Sequence, residues 1–190
     1  MLDPWYPPPG EYYVPLSEAV HYPLRQGDLV GPVTIDGRAT PIVQVVHPTC
    51  ELGKGQVDRI QVCAVEELSR LDDDFTRSCV VAGMRETGGS FRVAFAHTFF
   101  LPGIHAHDEG MYGNFRRRYL VDRAEVCLEN RSAALTHDAR VFFIRRWIYF
   151  RFRILLSLNQ VRGLEADRIR ADRAFEGPRP AWADDTNHAP

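Results

Sequence analysis

Six consecutive residues, His47-Pro48-Thr49-Cys50-Glu51-Leu52, set an imidazole, a hydroxyl, a thiol and a carboxylate directly after an apolar run, Pro41 to Val46. Proline cannot continue a ladder, so the run ends there and the polar groups gather at a strand end. Metal-independent RNA cleavage needs a base to activate a 2′-hydroxyl and a cation to stabilise the phosphorane. His47 would serve as base or acid, Arg38 as the charge stabiliser and Thr49 as a positioning hydroxyl, provided that the 36–41 turn and the 47–52 loop are neighbours. The same types also suit an ordinary strand-end turn, in which Thr49 and Glu51 form hydrogen bonds without chemistry. Whether Cys50 is reactive depends on surroundings that set its thiolate fraction.

A second cluster is His105-Ala106-His107-Asp108. In extended chain His105 and His107 project to the same side, so with Asp108 they could hold one zinc or manganese ion, and His97, His47 and Cys50 could approach from other strands. The four cysteines, Cys50, Cys63, Cys79 and Cys127, have no CxxC spacing, which excludes the common zinc ribbon and gives no disulfide framework.

The third feature runs from Asp138 to Leu158. Arg140, Arg145, Arg146, Arg151 and Arg153 are interleaved with Phe142, Phe143, Trp147, Tyr149, Phe150 and Phe152, and Arg116-Arg117-Arg118 stand earlier in the chain. Guanidinium groups and rings suit single-stranded nucleic acid, through phosphates and base stacking. The favoured reading is a helix docked on its own domain, with its arginines reaching Glu66, Glu67 and Asp72 to Asp74, together with a protein interface. A second copy of the chain is one such partner. Nucleic acid comes second and an amphipathic membrane helix third.

Composition bounds these readings. The chain has 190 residues, 45% hydrophobic and 25% charged, with a formal net charge of −2, as for one ordinary globular domain. That balance argues against coating nucleic acid through overall charge and leaves local patches open. Met1 to Gly10 lacks a basic region followed by an apolar run, so no signal peptide is expected, and arginines interrupt the most hydrophobic segment, 141–158. A soluble, cytoplasmic protein without a membrane span is expected.

The positioning elements follow from pattern. Residues 1–25, rich in proline and tyrosine, read as an extended arm lying along its own domain or against a partner, the former favoured. Leu29 to Ile35 and Pro41 to His47 read as strands about an Asp36-Gly37 hairpin turn. Gly53-Lys54-Gly55 reads as a turn before an alternating strand from Asp58 to Val65, and Glu66 to Phe75 as a short helix ending in solvated aspartates. Phe91 to Leu101, after a Gly88-Gly89 turn, and Tyr119 to Leu128 read as the last two strands, around a loop over 104–114. A long helix, with Thr136 as N-cap and Asp138 in its first turn, runs to about Val161 and is broken by Gly163. A charged tract and a disordered tail follow. The divisions are an arm at 1–25, a domain at 26–162 and a charged end at 163–190. The class is α/β in the broad α+β sense: a small SH3-like barrel or strongly bent antiparallel sheet with a long C-terminal helix.

Gly27-Asp28-Leu29, Ile42 to Val46, Thr49-Cys50-Glu51-Leu52 and Ile60 to Val65 resemble a bacterial family whose apolar strand ends in T-x-x-C-D-L, often encoded near phage-defence or mobile-element genes. Phe99-Phe100-Leu101-Pro102 and Leu120-Val121-Asp122 also resemble segments of that family, whereas Glu51 stands where it has aspartate. More distantly, Gly27-Asp28-Leu29, Arg38, Pro41 to Val46 and Thr49 resemble the MazF/PemK toxins, SH3-like barrels that cleave RNA, although Ala39-Thr40 separate Arg38 from Pro41. The leading expectation is a non-enzymatic recognition module in a defence or mobile-element system. It would bind a protein or nucleic acid through Cys50, Glu51, Arg116 to Arg118, Arg145, Arg146, Trp147, Tyr149 and Arg153. The alternative is a MazF-like endoribonuclease using Arg38, His47 and Thr49.

Overall fold

The structure is a computed structural model, and it describes residues 6–7, 10–52, 57–83, 85–87, 90–92, 95–103 and 110–164. In chain order the elements are β1 (Tyr13–Val14), α1 (Leu16–Ala19), β2 (Leu29–Val30), β3 (Val33–Ile35), β4 (Arg38–Thr40), β5 (Val43–Val45), α2 (Thr49–Leu52), β6 (Arg59–Glu67), α3 (Asp74–Ala82), β7 (Arg85–Thr87), β8 (Ser90–Arg92), β9 (Thr98–Leu101), β10 (Met111–Asp122), β11 (Arg131–Leu135) and α4 (His137–Phe152). The class is α+β. Seven strands pair antiparallel in the order β1-β11-β2-β5-β6-β10-β9, and β3-β4 and β7-β8 form separate hairpin ladders.

Both faces of the central strands are buried, which explains why β5 reads as an apolar run without alternation. Val30, Val43, Val45, Ile60, Val62 and Val121 fill one face, together with Val33 of β3 and Leu52 of α2. Leu29, Cys63, Phe99, Leu101, Phe115 and Leu135 fill the other, against Ala139 to Ile144 of α4. Asp36 and Gly37 both have positive φ, 50° and 74°, as a two-residue hairpin turn requires. The strand expected over 29–35 breaks at Gly31, where a Cβ would stand 2.1 Å from the Pro41 carbonyl oxygen.

Seven flat strands would hold the ladder's ends about 29 Å apart. Here Tyr12, beside β1, has its ring 6.4 Å from those of Phe99 and Phe100 on β9. The sheet is therefore strongly curled, and aromatic side chains bridge its two end strands. Tyr6 completes the bridge: its hydroxyl accepts from Phe100 N at 3.2 Å and donates to Val80 O at 2.9 Å, covering part of the β9 edge. The arm lies on its own domain as expected, but it contributes a strand and a helix and is not merely an extended segment.

Several boundaries differ from expectation. Helix 66–75 is replaced by the continuation of β6, a 3-10 turn at Leu68–Arg70, and then α3. Asp73 starts α3, its carboxylate accepting from Thr76 N at 2.7 Å, and Gly83 ends it at φ 70°. The strand over 91–101 is split by a turn at 95–97, and β11 follows β10 as the last strand. Thr136 does cap α4, accepting from Ala139 N. The long helix is not found: α4 ends at Arg153, in the left-handed region at φ 58°, and Gly163 falls within a separate helical stretch over 158–164. The Gly53-Lys54-Gly55 turn, Gly88-Gly89 and residues 165–190 lie outside the described residues.

Candidate functional site

Pro48 ends β5 and starts the single turn of α2, with Glu51 N and Leu52 N donating to its carbonyl. Val46 N and His47 N both donate to Gln61 O, a bulge that turns His47 out of the alternation. His47 Nδ1 accepts from Gln61 N at 3.3 Å, and Nε2 lies 2.9 Å from Glu51 Oε2. Thr49 Oγ1 accepts from Gln26 N at 3.0 Å, while Gln26 Nε2 donates to Val46 O at 2.8 Å. His47, Thr49 and Glu51 are thus neighbours, and their polar atoms tie the Gln26–Asp28 turn to the strand end. Cys50 is half-buried and free of any disulfide. Arg38 is exposed on β4, and among the described residues no contact joins it to His47 or Thr49. Of the trio that the sequence suggested for RNA cleavage, only His47 and Thr49 are neighbours.

The arginine-rich helix divides in two. Every residue from Ala139 to Arg146 is buried, so this half is enclosed on all sides. Arg146 has no exposed surface; its Nε donates to Thr98 O (3.0 Å), Nη1 to Gly83 O (2.9 Å) and Nη2 to Phe95 O (3.2 Å). It joins α4 to β9 and to the end of α3. Arg145 Nε donates to Leu156 O at 2.7 Å, holding the chain after the helix against it. Neither side chain lies on the surface that the sequence suggested. The second half is different: Trp147 and Tyr149 are half-buried, and Arg151 and Arg153 are exposed over those rings at 5.7 and 5.8 Å.

Beside this helix end, β10 departs from its register with β6. Asn114 pairs with Ala64 and Arg118 with Cys63, so Phe115, Arg116 and Arg117 are extra. Phe115 turns inward, with its ring edge-on to Phe143 (5.5 Å) and Trp147 (5.1 Å), and its N donates to His97 O at 2.7 Å. Arg116, Arg117 and Arg118 are exposed. Arg117 pairs with Glu66 at 2.7 Å, and that carboxylate also accepts from Tyr112 Oη (2.6 Å) and Asn114 Nδ2 (3.3 Å). The acidic groups expected to serve the helix are used elsewhere: Glu66 holds the bulge, Asp73 caps α3 and Asp74 pairs with Arg77. Among the described residues Arg116, Arg118, Arg151 and Arg153 form no ion pair.

His97 records how close these charges lie. Burial first, then the guanidinium groups of Arg116, Arg146 and Arg153, lower its pKa to about 4, with Glu66 opposing. Arg116 of the bulge and Arg153 of the helix end therefore share one positive neighbourhood around a neutral imidazole. Sequence reading missed Glu66, Tyr112 and Phe115 as parts of this face. The available signal was Phe115-Arg116-Arg117-Arg118 itself, since three charges in succession cannot alternate within a half-buried strand.

His105, His107 and Asp108 lie outside the described residues. Among the described residues no group of three or more His, Cys, Asp or Glu side chains is arranged to hold a metal ion, and no helix is long and apolar enough to cross a membrane. Comparison with protein-family models and with curated proteins gives no match for the chain.

Proposed function

We propose that the protein is a non-enzymatic recognition module that binds single-stranded nucleic acid across the β10 bulge and the end of α4. The observation that carries this reading is the three-residue insertion at 115–117. It buries Phe115 against Trp147, whose ring Arg151 covers, and leaves Arg116 exposed, with Arg116 and Arg153 both acting on His97. Among the described residues these exposed guanidinium groups have no carboxylate partner, which suits them to phosphates, and the half-buried Trp147 offers aromatic surface to bases. The curled sheet serves as an SH3-like barrel scaffold in this proposal. The family resemblance would place the binding in the cytoplasm, in a defence or mobile-element system.

Titration of the protein into labelled single-stranded RNA and DNA, run on native and denaturing gels at low and moderate salt, tests the reading. A salt-sensitive shift without cleavage is expected, weakened at least tenfold in an Arg116→Glu, Arg153→Glu double variant. Absence of a shift would remove nucleic acid and leave a protein partner for this face. Cleavage lost in His47→Ala would replace the binding reading with RNA hydrolysis at the strand end.

A further inference from the structure

Where α4 ends, the chain leaves large apolar side chains in water. Residues 151–155 are all exposed, and Phe152 (64%), Ile154 (53%) and Leu155 (52%) keep more than half of their surface in solvent. The chain is held on either side of this run. Before it, Trp147, Ile148 and Phe150 pack on the core; after it, Leu156 and Leu158 do the same, and Leu156 O accepts from Arg145 Nε at 2.7 Å. Arg153, at φ 58°, makes the bend between the two. The run therefore stands out from the surface between two anchored stretches. A single exposed apolar residue is ordinary, whereas three within four positions form a patch that marks an interaction surface.

Arg151 and Arg153 are interleaved with these apolar groups, and among the described residues neither has a carboxylate partner. The β10 bulge adds to the charge: Arg116 is exposed, and the ring of its neighbour Phe115 lies 5.7 Å from that of Phe150. A second copy docked isologously on this run would bring like charges together. A protein partner would need both a groove for the raised run and carboxylates for its arginines. An anionic bilayer meets both demands without shape complementarity, since its acyl layer takes apolar side chains and its headgroups meet guanidinium groups. We propose that residues 151–155 form a peripheral contact with an anionic lipid surface, Phe152, Ile154 and Leu155 entering the acyl boundary and Arg151 and Arg153 remaining at the headgroups. The contact goes beyond the nucleic-acid reading, which uses neither Ile154 nor Leu155.

Sedimentation with vesicles tests this contact. The full chain should pellet with vesicles of phosphatidylcholine and phosphatidylserine in equal parts and stay in solution with phosphatidylcholine alone, and its binding should weaken as salt rises. Ile154→Ser with Leu155→Ser should lower the partition coefficient at least about tenfold, with Tm and the single-strand gel shift unchanged. Equal sedimentation of wild type and this double variant would overturn the contact. A chain that shifts single strands but ignores both vesicles would also overturn it, and would leave the nucleic-acid reading standing. A dimer that the same variant dissociates, without vesicle binding, would overturn it in favour of a second copy.

Discussion

Arg146 and Arg153 lie seven positions apart and serve opposite ends. The first is spent on backbone carbonyls, three of them, and its burial lowers its pKa. The second stands in water over Tyr149. Arg146→Met should therefore cost about 3 kcal/mol or more in urea denaturation, because buried carbonyls lose charged donors, while equal stability would contradict that role. A second consequence at this scale concerns pH. Asp28 is raised from the ordinary 3.8 to about 6, by burial against the opposing charges of Arg131, Arg140 and Arg25. Its contribution to stability is full below about pH 3.8 and is lost as pH rises through 6. His97, lowered from 6.5 to about 4, contributes stability above pH 6.5 that is lost as pH falls through 4. The two oppose each other between these limits. Denaturation at pH 4.5 and 6.5 should show His97→Gln losing stability with rising pH and Asp28→Asn gaining it, each relative to wild type; parallel behaviour of all three would refute the assignment.

At the scale of elements, local chemistry explains what could be read and tertiary contact explains what could not. The Asp36-Gly37 turn and the Thr136 cap were legible because each depends on the backbone preferences of one or two residues. The end of α4 was not legible, since Arg153 is neither glycine nor proline. The helix stops where Arg145 takes Leu156 O and draws the chain back across it. The α3 start was misplaced for a related reason: Asp73 reads as a solvated acid until its bonds to Thr76 are seen. Of the helix residues expected to bind a partner, Arg145 and Arg146 are buried, whereas Trp147, Tyr149 and Arg153 are not. Only its last turn faces outward, because the sheet curls around the first. Arg153 at φ 58° is in a conformation that glycine adopts without penalty. Arg153→Gly should raise stability by about 1 kcal/mol while weakening nucleic-acid binding. Opposite signs in the denaturation and titration experiments would be the signature; loss of both would mean that Arg153 is structural.

Across the whole molecule, the arm links the two end strands of the sheet through side chains. Tyr6 and Tyr12 bridge β9 and β1, and β1 itself pairs with β11 through Tyr13↔Leu135 and Val14↔Ala134. Removing residues 1–14 should therefore lower Tm and speed amide exchange in β9 and β11, with far smaller effects in β5 and β6 at the centre. Uniform protection after truncation would show that the arm does not hold the end strands.

The account rests most on the positive face at the β10 bulge and the end of α4, and the salt dependence of single-strand binding tests it most directly. Four exposed guanidinium groups, Arg116, Arg118, Arg151 and Arg153, give an expected slope of log K against log salt of about −3. Arg116→Glu with Arg153→Glu should flatten that slope by about 1.4 or more, leaving the fold intact. A wild-type slope near zero, or one that the double variant leaves unchanged, would contradict the assignment of this face.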